Sequence, residues 1–297
     1  MTESPFFIVG FPRSGTTMLR LMLNSHPRIA VPFESDFIPK FSRRLDAYGD
    51  LGSAPNMERL LRDICMNSFV INGNLIPDPR SVLALRPRSY AELVDCIFES
   101  FARRHGKVRW GDKDPDNLKD MDLLWQLFPG CKFIHIIRDG RDVVLSLRGL
   151  DWGSRNLPRT ARRWAQHVTL ARHVGNVLGA DHYLEVRYEN LVRDACGELM
   201  RICRFLGEPY DQGMLEYHRD SERWIPDDSL KYHRASVRAP DPMKVQFWRK
   251  QMDFADQVIF EQEVGEVLDE LGYERSNAKV RLSSGFRNAY YALVARW

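Results

Sequence analysis

Apolar positions along this chain follow two rhythms. Residues 6–9 (Phe-Phe-Ile-Val) are an unbroken apolar run between Pro5 and Gly10, as expected of a short strand buried on both faces. Residues 16–24 then take helical spacing, with Met18, Leu19, Leu21, Met22 and Leu23 apolar. A second short strand is predicted at 28–31, closed by Pro32. From 35 to about 104 the rhythm is helical only, with segments near 35–47, 57–68 and 89–104 separated by loops containing Pro and Gly. Strands return at 108–110, at 132–137 (the clearest in the chain) and at 182–186. Helices are predicted at 117–127, 139–148, 158–178, 188–206 and 254–271, with a loop-rich stretch at 219–245 and a short aromatic tail.

Alternating strands and helices build a parallel sheet with helices on both faces. The expected fold class is therefore α/β, three-layer α/β/α, with a central parallel sheet and a helical lid insertion. Residues 1–297 read as one domain and 35–107 as the insertion. Ligands of such sheets bind beyond the carboxyl ends of the strands, which says where to look for chemistry.

Composition excludes several classes. With 44% hydrophobic and 28% charged residues the chain is ordinary for a globular protein. A net charge of +3 suits a pocket for an anion but is too small to argue for nucleic acid, and no basic run alternates with aromatics. The 5 cysteines form no C-x-x-C pair, so neither a disulfide framework nor a structural zinc site is expected. The eight histidines show no metal spacing, and no metal is needed. The polar start leads directly into a strand, no apolar run has membrane-spanning length, and a cytoplasmic, reducing setting is expected.

Gly10-Phe-Pro-Arg-Ser-Gly-Thr-Thr17 follows the first strand and opens a helix. Two glycines five apart permit a tight turn whose amides converge on an anion, and the helix N-terminus adds partial positive charge. The context is P-loop-like but the letters differ: G-x-x-x-x-G-K-[ST] places Lys where this chain has Thr16, and the cation sits in the loop as Arg13. Thr16 and Thr17 can cap the helix and donate to phosphate oxygens. Without that Lys a γ-phosphate and its metal are poorly held. Arg138-Asp-Gly-Arg-Asp142 ends the 132–137 strand, and Ser146 lies about two helical turns further on, near the same face. An Arg fork plus a hydroxyl suits a phosphate monoester.

The run Pro12-Arg-Ser-Gly-Thr-Thr-Met-Leu-Arg20, then Leu23-Asn-Ser-His-Pro27 and Glu34, resembles sulfotransferases that use 3′-phosphoadenosine 5′-phosphosulfate (PAPS), the tyrosylprotein branch above all. Similarity continues through Lys113-Asp-Pro115, residues 133–146 and Tyr188-Glu-Asn-Leu191, and loosens after Tyr210. The resemblance implies transfer of a sulfuryl group from PAPS to an acceptor hydroxyl, leaving 3′,5′-bisphosphate. It places Arg13, Ser14, Gly15, Thr16 and Thr17 around the 5′-phosphosulfate and gives the 3′-phosphate to Arg138 and Ser146. Glu34 falls at the catalytic carboxylate, and Lys113 would neutralise the departing oxygen, with Asp112 and Asp114 orienting it. Tyr188 matches a nucleotide-contacting Tyr, with plain packing beside the adenosine as the alternative. Ser236 and Lys244 fall where relatives wrap a loop over the nucleotide, and Trp248 is assigned to packing.

Competing readings are a P-loop kinase, which lacks its Lys, a nucleotide switch, which lacks N-K-x-D, and a non-catalytic binding module of the same fold. The acceptor stays open among small molecules, lipids, glycans and peptides, as does a homodimer. The tyrosylprotein branch carries a basic residue two positions after the Glu. Here that position is Asp36, although Lys40 follows, which argues against a strongly acidic peptide. The Phe, Leu and Ile content of 37–101 suggests a partly apolar acceptor.

Overall fold

The computed structural model describes residues 4–276. Phe6–Val9 form β1, fully buried, with parallel neighbours on both sides: Ile8 stands opposite Lys113 in one and Ile134 in the other. Among the described residues the sheet has five strands, β1, β2 (Ile29–Ala30), β3 (Arg109–Lys113), β4 (Lys132–Ile137) and β5 (Tyr183–Arg187). Their order is β2-β3-β1-β4-β5, and every pairing is parallel. From β1 the chain runs through α1 (Thr16–Asn24) to β2 at one edge, and from β4 it runs to β5 at the other. The connections diverge between β1 and β4, which opens a crevice at their carboxyl ends.

Strand periodicity sorts β1 onto two cores. Phe6 and Ile8 face α1, α10 (Tyr188–Arg193) and α11 (Ala195–Leu206), packing with Leu19, Leu23, Leu191 and Ile202. Phe7 and Val9 face the helices between β2 and β3: α2 (Phe37–Ser42), α3 (Ala54–Cys65), α4 (Ser68–Asn72), α5 (Pro79–Leu83) and α6 (Tyr90–Arg104). These helices are thus sewn to the sheet. Phe98 stacks on Trp110 of β3 with centroids 4.6 Å apart, and Phe7 stacks on Phe133 at 5.7 Å. After α7 (Met121–Leu127), a third core joins α8 (Gly140–Arg148), α9 (Leu157–Leu178) and α14 (Phe254–Glu270) around Trp164 and Phe260. Between them α12 (Asp227–His233) and α13 (Trp248–Gln251) belong to the segment that crosses the crevice. No described helix is long and apolar enough to cross a membrane.

Several bounds differ from the sequence reading, and α4 and α5 were not predicted; three of the differences are informative. β3 continues to Lys113, three residues beyond the predicted end at 110. Gly111 is needed there because a Cβ would lie 2.4 Å from the Phe6 ring on β1. The predicted helix 188–206 is two helices, since Asp194 leaves helical geometry and accepts the Gly197 amide at 2.9 Å as a new cap. Residues 115–120 form a 3-10 turn ahead of α7.

Candidate active site

All five strands deliver a predicted site residue at their carboxyl ends: the 10–17 loop after β1, Glu34 after β2, Lys113 closing β3, Arg138 after β4 and Tyr188 after β5. They surround a cavity of about 690 Å³. Arg13, Gly15, Thr16, Thr17, Glu34, Arg138, Ser146, Tyr188, Ser236 and Lys244 line it. Ser14 and Lys113 are buried just beneath.

The loop after β1 depends on its glycines. A Cβ on Gly10 would lie 2.6 Å from the Ile136 carbonyl oxygen, and Gly15 has φ +98° with the Tyr188 ring 2.5 Å from where its Cβ would be. Arg13 also takes positive φ, 72°, a conformation that non-glycine residues adopt at a cost. Gly15 is the N-cap of α1 and supplies no side-chain cap, so Thr16 and Thr17 stand inside the first turn and are not its caps. The buried Ser14 hydroxyl has no hydrogen-bond partner among the described residues. An anion at this helix start would meet that hydroxyl's need and the helix dipole together.

Two guanidinium groups share the next part of the crevice. Arg13 donates from Nε to Ser146 Oγ and from Nη1 to the Tyr232 carbonyl, each at 3.0 Å. Arg138 donates to the Arg13 carbonyl at 3.3 Å and to the Lys244 carbonyl at 2.9 Å, its Cζ 4.2 Å from the Tyr188 ring centroid. Its Nε is buried without a partner. Burial and the neighbouring Arg138 charge hold the Arg13 pKa below its ordinary value. Asp142 lies 3.9 Å from Arg138, and burial pushes its carboxyl up to about 6. Arg13 and Ser146, assigned by resemblance to opposite ends of one donor, are thus joined directly.

Glu34 stands further along, its Oε1 2.5 Å from Lys113 Nζ, which is also 3.4 Å from Thr17 Oγ1. The loop carrying Glu34 is tied to β3 by its neighbours. Ser35 Oγ donates to Asp112 at 3.1 Å, and the Asp36 amide donates to Asp114 at 3.0 Å. Asp112 and Asp114 therefore anchor the Glu34 loop, where the sequence reading had them orienting Lys113. Burial raises both carboxyls, Asp112 to about 6 and Asp114, also beside Glu34, to about 8. Trp248 lies outside the cavity lining, buried beneath Arg141 with centroid and Cζ 3.6 Å apart.

Sequence reasoning missed His233, at the end of α12. It lines the cavity, meets the Phe33 ring edge-on at 5.8 Å, and leaves Nδ1 buried without a partner. Burial, with Lys113, Arg13 and Arg20 nearby, pushes its pKa down to about 3, so the ring is neutral. A lone His in a loop-rich stretch carries no spacing signal. The carbonyls of Tyr232 and Lys244, which hold the arginines to the crossing segment, carry none either, because any residue supplies a carbonyl. Among the described residues no cluster of His, Cys, Asp or Glu could hold a metal ion.

Comparison with known proteins follows the same outline. The Sulfotransferase family matches residues 5–212, most of the chain and all five strands. Protein-tyrosine sulfotransferase A of Caenorhabditis elegans is 26% identical over 226 residues, 73% of this chain and 53% of that protein. Nodulation protein NoeE of Sinorhizobium fredii is 27% identical across 91% of this chain and 66% of its own. The chain spans about half the length of several tyrosine-directed relatives it matches. Among solved structures, the sulfotransferase domain of the Synechococcus PCC 7002 olefin synthase superposes with a TM-score of 0.63 at 26% identity, covering 93% of this chain and 97% of that domain. The loop after β1, the arginine after β4 and this matched span lead to one assignment: the chain belongs to the sulfotransferase family.

Proposed function

We propose that the chain transfers the sulfuryl group of PAPS to an acceptor hydroxyl. The observation that carries this reading is the close approach of Arg13 and Arg138 with Ser146 and the unpartnered Ser14 hydroxyl. It is a cationic, donor-rich crevice at a helix start, built to take an anion at each end. Glu34 and Lys113, one on each neighbouring strand end, supply the chemistry. Glu34 takes the acceptor proton as the acceptor oxygen attacks sulfur. The S–O bond to the phosphate breaks, and its electron pair leaves with the 3′,5′-bisphosphate. Lys113, already in contact with Thr17 in the first turn of α1, compensates the charge that grows on the departing oxygen. Because Lys113 pairs with Glu34 before any donor arrives, donor binding gives that ammonium a second anion to share.

Calorimetry with 3′,5′-bisphosphate and with AMP tests the donor assignment. Charge-assisted bonds from Arg138 and Ser146 are worth about 1.5–3 kcal/mol each, so the bisphosphate should bind roughly ten- to a hundredfold more tightly or better. Equal affinities would remove the 3′-phosphate from these residues. Mass spectrometry of acceptor mixtures supplied with PAPS, following the gain of one sulfuryl group, tests the transfer itself.

A further inference from the structure

The cavity has further lining, a second wall, beyond the residues assigned to the donor. Phe69 on α4, Trp152 between α8 and α9, and Tyr232 on α12 line it, so three separate elements each bring an aromatic ring to one opening. Trp152 and Tyr232 meet edge-on with centroids 6.1 Å apart, and Trp152 is 54% and Phe69 36% exposed. Single exposed apolar side chains are ordinary, but rings gathered around the mouth of a cavity mark a surface that a ligand covers. Phe33 lies deeper, beside Glu34 and beneath His233.

Charge sorts the two walls. Arg138 and Lys244 stand together on the donor side, linked through the Lys244 carbonyl. Around Glu34 the charged groups lining the cavity are Asp36, Asp114 and Asp116, joined through the Asp114 carboxyl, which accepts both the Asp36 and the Asp116 amides. Lys40 and Lys119 stand near Asp36 and Asp116 at 3.9 and 2.6 Å, which cancels much of the local charge without adding a free cation. His233, edge-on to Phe33, is neutral. The ammonium groups on this wall are already paired with carboxylates, Lys113 with Glu34 and Lys231, 4.5 Å from the Tyr232 ring, with Asp151 at 3.7 Å. An anionic acceptor therefore competes with those pairs and with the carboxylates beside Glu34.

Resting on the sulfuryl-transfer reading, we infer that the acceptor is an uncharged apolar alcohol, whose hydrocarbon body lies between Phe69 and the Trp152–Tyr232 pair while its hydroxyl reaches Glu34. The acceptor O–S bond forms as the S–O bond of PAPS breaks, the proton passes to Glu34, and the bisphosphate leaves with the electron pair. The product is an alkyl or aryl sulfate. It is amphiphilic, with its sulfate at the Glu34 end and its body at the rim.

The test is an acceptor ladder at saturating PAPS, read as sulfate ester by mass spectrometry. The probes are 1-butanol, 1-octanol, 2-naphthol and a tyrosine peptide flanked by Asp and Glu. Each buried methylene is worth roughly a fourfold gain, so kcat/KM should climb at least about tenfold from butanol to octanol. Octanol and naphthol should both exceed the acidic peptide. The W152S and F69S variants, at exposed positions, should flatten the ladder by about tenfold while bisphosphate affinity stays within about twofold. A flat ladder, a preferred acidic peptide, or variants that leave the ladder unchanged each overturn the inference. So does tight bisphosphate binding with none of the alcohols sulfated, in which case the donor reading stands alone. Failure to bind bisphosphate would bring down both.

Discussion

Glu34, the proposed base, is held among the described residues by one fully buried partner, Lys113. The Glu side chain is 21% exposed toward the cavity, where an acceptor hydroxyl can reach it, while the Lys is entirely enclosed. Replacing Glu34 by Gln keeps an oxygen for the ammonium but removes the ability to take a proton. Turnover of E34Q on an aliphatic alcohol should fall by roughly 10²–10⁴-fold, with bisphosphate affinity within a few-fold. The loss should shrink for acidic phenols, whose protons leave without help. Steady-state rates on both acceptor types, beside calorimetry, read this out, and near-normal turnover of E34Q on the alcohol would exclude the base role. Glu34→Ala should also cost stability, because it strands the Lys113 charge among Phe33 and Thr17.

At the scale of elements, the legible parts of the chain were those written as runs. β4 lies where the sequence places it, 132–137, because Phe133, Ile134, Ile136 and Ile137 sit between the breakers Pro129-Gly130 and Asp139-Gly140. The β3 boundary was hidden, because Gly111 answers to the Phe6 ring on another strand and nothing beside it in sequence reports that ring. Gly111→Ala therefore should destabilise the fold by about 1–3 kcal/mol, as overpacking in a closed core does. A lowered urea midpoint with unchanged slope would show it, and a neutral substitution would mean that Phe6 yields easily. The candidate site divides the same way. Arg13, Arg138 and Ser146 were marked by a loop motif and a strand end, Glu34 by the resemblance alone, and all four line the cavity. His233, Trp152 and Phe69 were unmarked, since only the folding of α4, α12 and the α8–α9 connection brings them to one opening.

Across the whole molecule, acidification acts on several enclosed histidines. Burial pushes His135 and His233 down to about 3 and His167 to about 4, each from 6.5. For such a base the unfolded chain binds more protons than the folded one between the two values. Its contribution is intact above pH 6.5 and is lost as the pH falls towards 3. Carboxyls raised to about 6, such as Asp112, act in the opposite sense, so a difference between variant and parent isolates one ring. Urea titrations of H233Q and the parent from pH 7 to 4 should give a stability difference that moves in favour of the variant on acidification, by at most about 1.4 kcal/mol per pH unit. An offset constant with pH would mean that His233 titrates alike in both states. The tether between the strand ends and the crossing segment has a consequence of another kind. Arg13 and Arg138 grip that segment through the carbonyls of Tyr232 and Lys244, groups present whatever the side chain. A descendant of this gene can exchange the letter at 232, along with the ring it brings to the rim, and keep the same grip. Drift there is free to explore new acceptors while the donor machinery is inherited intact.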